Sequence, residues 1–142
     1  MKKIAGKGAL LMAAGCAACG AAGPVAAGTG DIVRKPLLTA PLAAGTRVGR
    51  VEVKEITLAE GQPTGRHKHP ANVICYVAKG TILFQVEGQL AREYPAGSAI
   101  FEPANTVIEH FDPVGGPATF IANYLLEEEN QPLIQMLPAD GT

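Results

Sequence analysis

The chain has 142 residues, a formal net charge of −1, 47% hydrophobic residues and 18% charged residues. That length suits one domain whose core is large enough to stand without disulfide or metal staples. The near-neutral balance lacks the basic footprint of a nucleic-acid-binding protein, so nucleic acid is set aside as a partner.

The first segment reads as a targeting sequence. Met1, Lys2, Lys3 and Lys7 give a basic start, Ala9 to Gly15 form a short apolar run, and small residues surround Cys16. This is the layout of an export signal, and the run is too short and too rich in Ala and Gly to span a membrane. Residues 1–15 are therefore expected to direct the protein to the periplasm or cell envelope. Ala13-Ala14-Gly15-Cys16 resembles a bacterial lipoprotein cleavage box, although Ala13 stands where that pattern prefers Leu. Lipidation of Cys16, which would be the membrane attachment, and ordinary cleavage between residues 21 and 27 both stay open. Cys16 and Cys19 form a C-x-x-C pair, but no βαβ pattern surrounds them, which argues against a redox motif. Cys75 lies in an apolar run and is expected in the core.

Residues 16–46 are rich in Ala, Gly, Pro and Thr with little periodicity and read as a linker; within it, residues 31–34 and 36–38 have the character to pack against a body. Residues 47–137 carry the pattern of a folded domain. Residues 48–58 predict a strand, with Val51 and Val53 in one phase and Ile56 and Leu58 in the other, which implies a bulge near Lys54 and Glu55. Residues 72–78 and 81–87, separated by Lys79-Gly80, predict a hairpin. Further strands are expected at 98–102, 106–111 and 118–126, with turns at Pro95-Ala96-Gly97 and Pro103-Ala104-Asn105 and a loop at 112–117. No long amphipathic helix is evident. Short strands at regular spacing with Gly/Pro turns point to an all-β barrel or jelly roll.

One segment carries chemistry. His67 and His69 are one residue apart in an extended stretch, so their side chains point the same way and can converge on one metal ion. The chain has three histidines, and the third, His110, falls in another strand-like segment. Val73, Cys75 and Val77 share the parity of the two histidines, which suggests an apolar interior suited to a small molecule.

These residues resemble the small single-domain cupins. The first cupin motif runs G-x5-H-x-H-x3,4-E-x6-G; Gly61, His67, His69 and Gly80 match it, and Val73 stands where the Glu should be. The second runs G-x5-P-x-G-x2-H-x3-N; Gly97 and Pro103 match, Asn105 replaces the middle Gly, Ile108 the His and Asp112 the Asn. Asn tolerates the left-handed backbone that such a Gly adopts. The resemblance covers roughly residues 47–126 and implies a cupin double-stranded β-helix. It also implies a divalent metal (Fe, Zn, Mn, Ni or Cu), which such cupins usually hold with two His and a Glu from the first motif and one His from the second. Here His67 and His69 match, and His110, two residues beyond the expected His, is the candidate third ligand.

Two departures leave the ligand set open. In a regular strand His110 would point to the same face as Ile108, displaced by about 7 Å; a bulge could bring it into the site. Glu102, Glu109 or Gln85 could replace the missing Glu, but Glu109 should face away from His110. Glu102 and Gln85 are expected at the surface or in hydrogen bonds. Two functions remain: a metal-dependent enzyme, oxygenase- or isomerase-like, acting on a small organic molecule, or a non-catalytic envelope module binding a metal or small apolar ligand. Homodimerisation is a further expectation that the resemblance carries.

Overall fold

In the computed structural model of the chain, residues 30–138 are described. The expected export signal at 1–15 and the Cys16 cleavage box therefore lie outside the described residues. The barrel lies within one compact unit, Arg34–Thr142. Its strands are β1 (Arg50–Leu58), β2 (His67–Lys68), β3 (Asn72–Lys79), β4 (Thr81–Val86), β5 (Arg92–Pro95), β6 (Ala99–Glu102), β7 (Val107–Pro113), β8 (Ala118–Leu126) and β9 (Gln135–Met136), and no helix occurs among the described residues. All strand pairs are antiparallel. They form a four-stranded sheet, β1-β8-β3-β6, and a five-stranded sheet, β5-β4-β7-β2-β9.

Alternation decides which side chains fill the space between the sheets. Every second residue of β8 is buried, from Ala118 to Leu126. Val73, Cys75 and Val77 of β3 are fully buried, as are Ile82, Ile100 and Ile108. Burying each large apolar side chain contributes on the order of 1.5–3 kcal/mol, which makes this interior the main source of stability. Phe111 of β7 packs against Phe84 and Phe120, with ring centroids 6.0 and 4.7 Å apart.

Two features depart from the sequence pattern. Residues 72–78 and 81–87 are not a hairpin: β3 pairs with β6 and β8, whereas β4 pairs with β5 and β7. The chain crosses from one sheet to the other at Gly80, whose φ is +72° and where a Cβ would come within 2.4 Å of the Pro117 carbonyl oxygen. Both β3 and β4 bury one face of the same core, so alternation alone does not reveal that they belong to opposite sheets. The bulge expected at Lys54 and Glu55 is also absent. β1 pairs with β8 without interruption from Arg50↔Leu126 to Leu58↔Ala118. Val51 and Val53 instead face outward, 53% and 61% exposed.

The expected packing of residues 36–38 is observed in part. Leu37, Leu38 and Leu42 lie beside Ile74, Tyr76 and Ala99 on the outer surface of the four-stranded sheet and share a groove with them.

Candidate metal centre

β2 is only two residues long, but it is held on both sides. His67 lies opposite Ile108 of β7 and Met136 of β9, and Lys68 lies opposite Val107 and Gln135. The two histidines alternate inward around the half-buried Lys68 and are 3% and 5% exposed. The following turn is tied down by the Asn105 amide, which donates to the His69 carbonyl at 2.7 Å. Asn105 has a φ of 57°, so it takes the left-handed conformation of the glycine it replaces.

Backbone carbonyls fix both imidazoles. His67 Nδ1 lies 2.7 Å from the Gly65 oxygen, and His69 Nδ1 lies 2.6 Å from the Leu133 oxygen. A carbonyl can only accept, so each Nδ1 carries a proton and each Nε2 faces inward, where the neutral ring offers a lone pair. This is the tautomer that ligation through Nε2 requires, with the orienting partner that metal-bound histidines commonly have.

The third member is Glu102, at the end of β6. It lies directly opposite Val73 in the β3–β6 register. The carboxylate missing from position 73 is thus supplied from the facing position on the next strand. Glu102 is 3% exposed. The Cys75 thiol donates to its Oε1 at 3.2 Å, while its Oε2 is buried and has no hydrogen-bond partner. That oxygen stands 3.7 Å from His67 Nε2 and 3.3 Å from His69 Nε2. One ligand atom from each residue lies within 4.8 Å of the others. Ligands about 2.1 Å from a shared tetrahedral ion stand about 3.4 Å apart, so the three atoms are spaced to hold one ion.

The electrostatics are consistent with that spacing. Burial pushes the Glu102 carboxyl up, but in the metal-free site hydrogen bonds from both imidazoles, donated when Nε2 carries a proton, and from the Cys75 thiol outweigh it and hold the pKa down at about 2. Burial opposes charging of His69, yet Glu102 and the Leu133 carbonyl raise its pKa overall. Burial and the neighbouring Glu102 push the Cys75 thiol up, so it stays protonated and remains a donor.

The cluster opens onto a cavity of about 140 Å³, walled mainly by Ile56, Phe111, Phe120, Tyr124 and Ile134. Tyr124 meets His69 edge to face, with centroids 5.7 Å apart. Its phenol is pushed up to about 12 by burial and by nearby negative groups.

His110 does not join this cluster. Its side chain is 50% exposed, and its Nδ1 lies 2.7 Å from Asp112 Oδ2. The cause is a bulge in β7: Val86 pairs with Ile108 and Gln85 with His110, which leaves Glu109 as the extra residue. The bulge moves the inward phase from His110 to Phe111, opposite to the effect that would have recruited His110. Of the other candidates, Glu109 pairs with Arg66 at 3.0 Å, and Gln85 donates to the Gln89 carbonyl at 2.8 Å. Glu102, a candidate for the missing Glu that the sequence reading expected at the surface or in hydrogen bonds, is the one that joins the histidines. Its signal was its parity with buried Ile100, two residues earlier on the same short strand.

Comparison with known proteins fits this architecture. Residues 54–122 match the family model described as the cupin domain. Solved structures share the fold: a cupin-like protein from Thermotoga maritima (23% identity, TM-score 0.54, covering 61% of this chain and 64% of that one); the DMSP lyase DddQ from Ruegeria pomeroyi (18%, 0.52, 65% and 45%); and the polyketide cyclase RemF from Streptomyces resistomycificus (19%, 0.53, 65% and 63%). The chain thus spans less than two thirds of the length of each. No curated protein matches the sequence. An all-β double-sheeted barrel, the H-x-H pair and the family match over residues 54–122 together establish that this chain carries a small cupin domain.

Proposed function

We propose that the cupin domain holds one divalent metal ion through His67 Nε2, His69 Nε2 and Glu102 Oε2, and presents it to a small organic molecule in the adjoining cavity. The observation that carries this reading is the buried Glu102 Oε2. A buried, ionised oxygen that makes no geometric hydrogen bond is costly unless the imidazoles beside it are protonated, and a cation shared with two correctly oriented neutral imidazoles would offset that cost. Two histidines and one carboxylate leave coordination positions for a ligand. This donor set favours Fe(II), with zinc as the competing occupant.

When bound, such a metal supplies Lewis-acid or redox chemistry. The chain's own residues then have separate parts. His67, His69 and Glu102 hold and orient; Phe111, Phe120 and Ile56 exclude water; and Tyr124, protonated at neutral pH, can donate a hydrogen bond but not act as a base. An oxygenase- or isomerase-like reaction suits such a centre. The non-catalytic reading is favoured by one observation: beside the three ligands, the cavity-lining side chains with polar groups are Thr64 and Tyr124. Neither is a general base at neutral pH.

We extend the proposal to export. Residues 1–15 support it with their basic start and apolar run ahead of Cys16.

Cobalt substitution tests the ligand set. Co(II) titrated into metal-free protein should give visible d–d bands that saturate near one equivalent, and Glu102→Gln should weaken or abolish them. Bands that persist unchanged in Glu102→Gln would remove Glu102 from the set.

A further inference from the structure

Two side-chain polar atoms among the described residues are buried without a hydrogen-bond partner: Glu102 Oε2 and Thr64 Oγ1. Both residues line the same cavity. Unsatisfied buried polar atoms are few in a native fold and call for a partner. Glu102 Oε2 finds one in the metal proposed above; Thr64 Oγ1 stands apart from that ligand set. Its position is built rather than incidental, because the Thr64 amide donates to Asp112 Oδ1 at 2.9 Å, and the other oxygen of Asp112 holds His110. The backbone of Thr64 is therefore anchored while its hydroxyl is left free.

We propose that Thr64 is a specificity-determining residue, and that the ligand is a compact molecule with an apolar body, at most one negative charge, and a polar atom received by the Thr64 hydroxyl. This deepens the metal-site reading and rests on it. Size sets the first limit: the cavity is about 140 Å³, and an apolar cavity of about 150 Å³ admits benzene. The part of the ligand that the cavity encloses is thus roughly one ring or a branched chain with a small substituent. The walls set the second limit, since Ile56, Phe111, Phe120 and Ile134 offer apolar contact and aromatic faces. Charge sets the third. No Lys or Arg lines the cavity, and a dication on two neutral imidazoles and one carboxylate retains a single positive charge. A monoanion is balanced there; a dianion is not.

The test uses three probes on zinc-loaded full-length protein: toluene, benzoate and succinate, followed by amide chemical-shift titration. Benzoate should bind, and succinate should bind at least tenfold more weakly. Thr64→Val should weaken benzoate by about threefold to tenfold, the worth of one hydrogen bond. The same variant should leave toluene affinity unchanged, which also shows that its cavity is intact. Thr64→Ser should keep benzoate affinity near that of the wild type. A wild type that takes up zinc, while Thr64→Val binds benzoate equally well or succinate matches benzoate, overturns this inference alone. A wild type that takes up none of zinc, iron, manganese, nickel and copper sinks the metal-site reading and this inference with it.

Discussion

Glu102 is ionised in one of the driest places in the fold, and its two oxygens have different work. Oε1 is occupied by the Cys75 thiol, which leaves Oε2 as the oxygen for a metal. Cys75→Val should loosen the carboxylate and lower metal affinity by about tenfold, as the loss of an orienting partner commonly does. Cys75→Ser, which keeps a donor, should lose less; isothermal titration with zinc would measure both. His110, half-exposed and bound to Asp112, should be replaceable by Ala with metal affinity held within about twofold, since surface changes of this kind are nearly neutral.

Two opposing pH effects follow for metal-free protein. Glu102 is depressed to about 2 from an ordinary 4.5, so its stabilising contribution is complete above about pH 4.5 and is lost as pH falls towards 2. His69 is raised from 6.5, so its contribution is complete below about 6.5 and is lost as pH rises through the raised value. Thermal melts of metal-free protein should therefore be highest between about pH 4.5 and 6.5. Metal-loaded protein should behave oppositely on the alkaline side, because ligation needs both Nε2 atoms free of protons. Melting temperatures that fall in parallel above pH 6.5, with and without metal, would contradict this.

At the scale of elements, alternation and turns were the legible part. Val73, Cys75 and Val77 were expected inside with the histidines, and all three are fully buried. Asn105 was expected to tolerate the left-handed backbone of the glycine it replaces, and does so. What the sequence hid were irregularities that change phase or partner. The Glu109 bulge turns His110 outward, and no residue preference marks it, because Ile108, Glu109 and His110 read equally well as a regular strand. The apparent hairpin at Lys79-Gly80 is a corner between sheets, since pairing partners are set by the whole barrel. The two phases in β1 arose from outward valines rather than from a bulge. The general rule that carboxylates are mostly exposed set Glu102 at the surface or in hydrogen bonds ahead of the ligand role for which it was also a candidate, although strand parity pointed inward. The corner gives an element-scale prediction. Gly80→Ala meets both a positive φ and the Pro117 carbonyl oxygen at 2.4 Å, and should destabilise by about 2 kcal/mol or more in urea unfolding.

For the whole molecule, the barrel places its one buried cluster of two histidines and a glutamate, among the described residues, at the end of an apolar cavity. Both sheets contribute: His67 comes from the five-stranded sheet and Glu102 from the four-stranded sheet. A metal on both would bridge the layers and stabilise the barrel as a unit. At a free concentration of about one hundred times its dissociation constant, such an ion adds about 2.7 kcal/mol. The melting temperature should then rise by roughly 10–20 °C for a domain of this size. Calorimetry with and without zinc would show this shift in the wild type and its absence in the doubly substituted His67→Ala/His69→Ala protein.

The most direct measurement is elemental analysis of untagged protein beginning at Ala17, beside Glu102→Gln and His67→Ala/His69→Ala. The expected result is close to one equivalent of a divalent transition metal in the wild type, iron or zinc foremost. The double histidine variant should retain almost none, and Glu102→Gln markedly less than the wild type. Metal-free wild type that also fails to take up iron, zinc, manganese, nickel or copper on reconstitution would contradict the metal centre. It would leave an apolar barrel whose buried carboxylate is held by the two histidines and the Cys75 thiol.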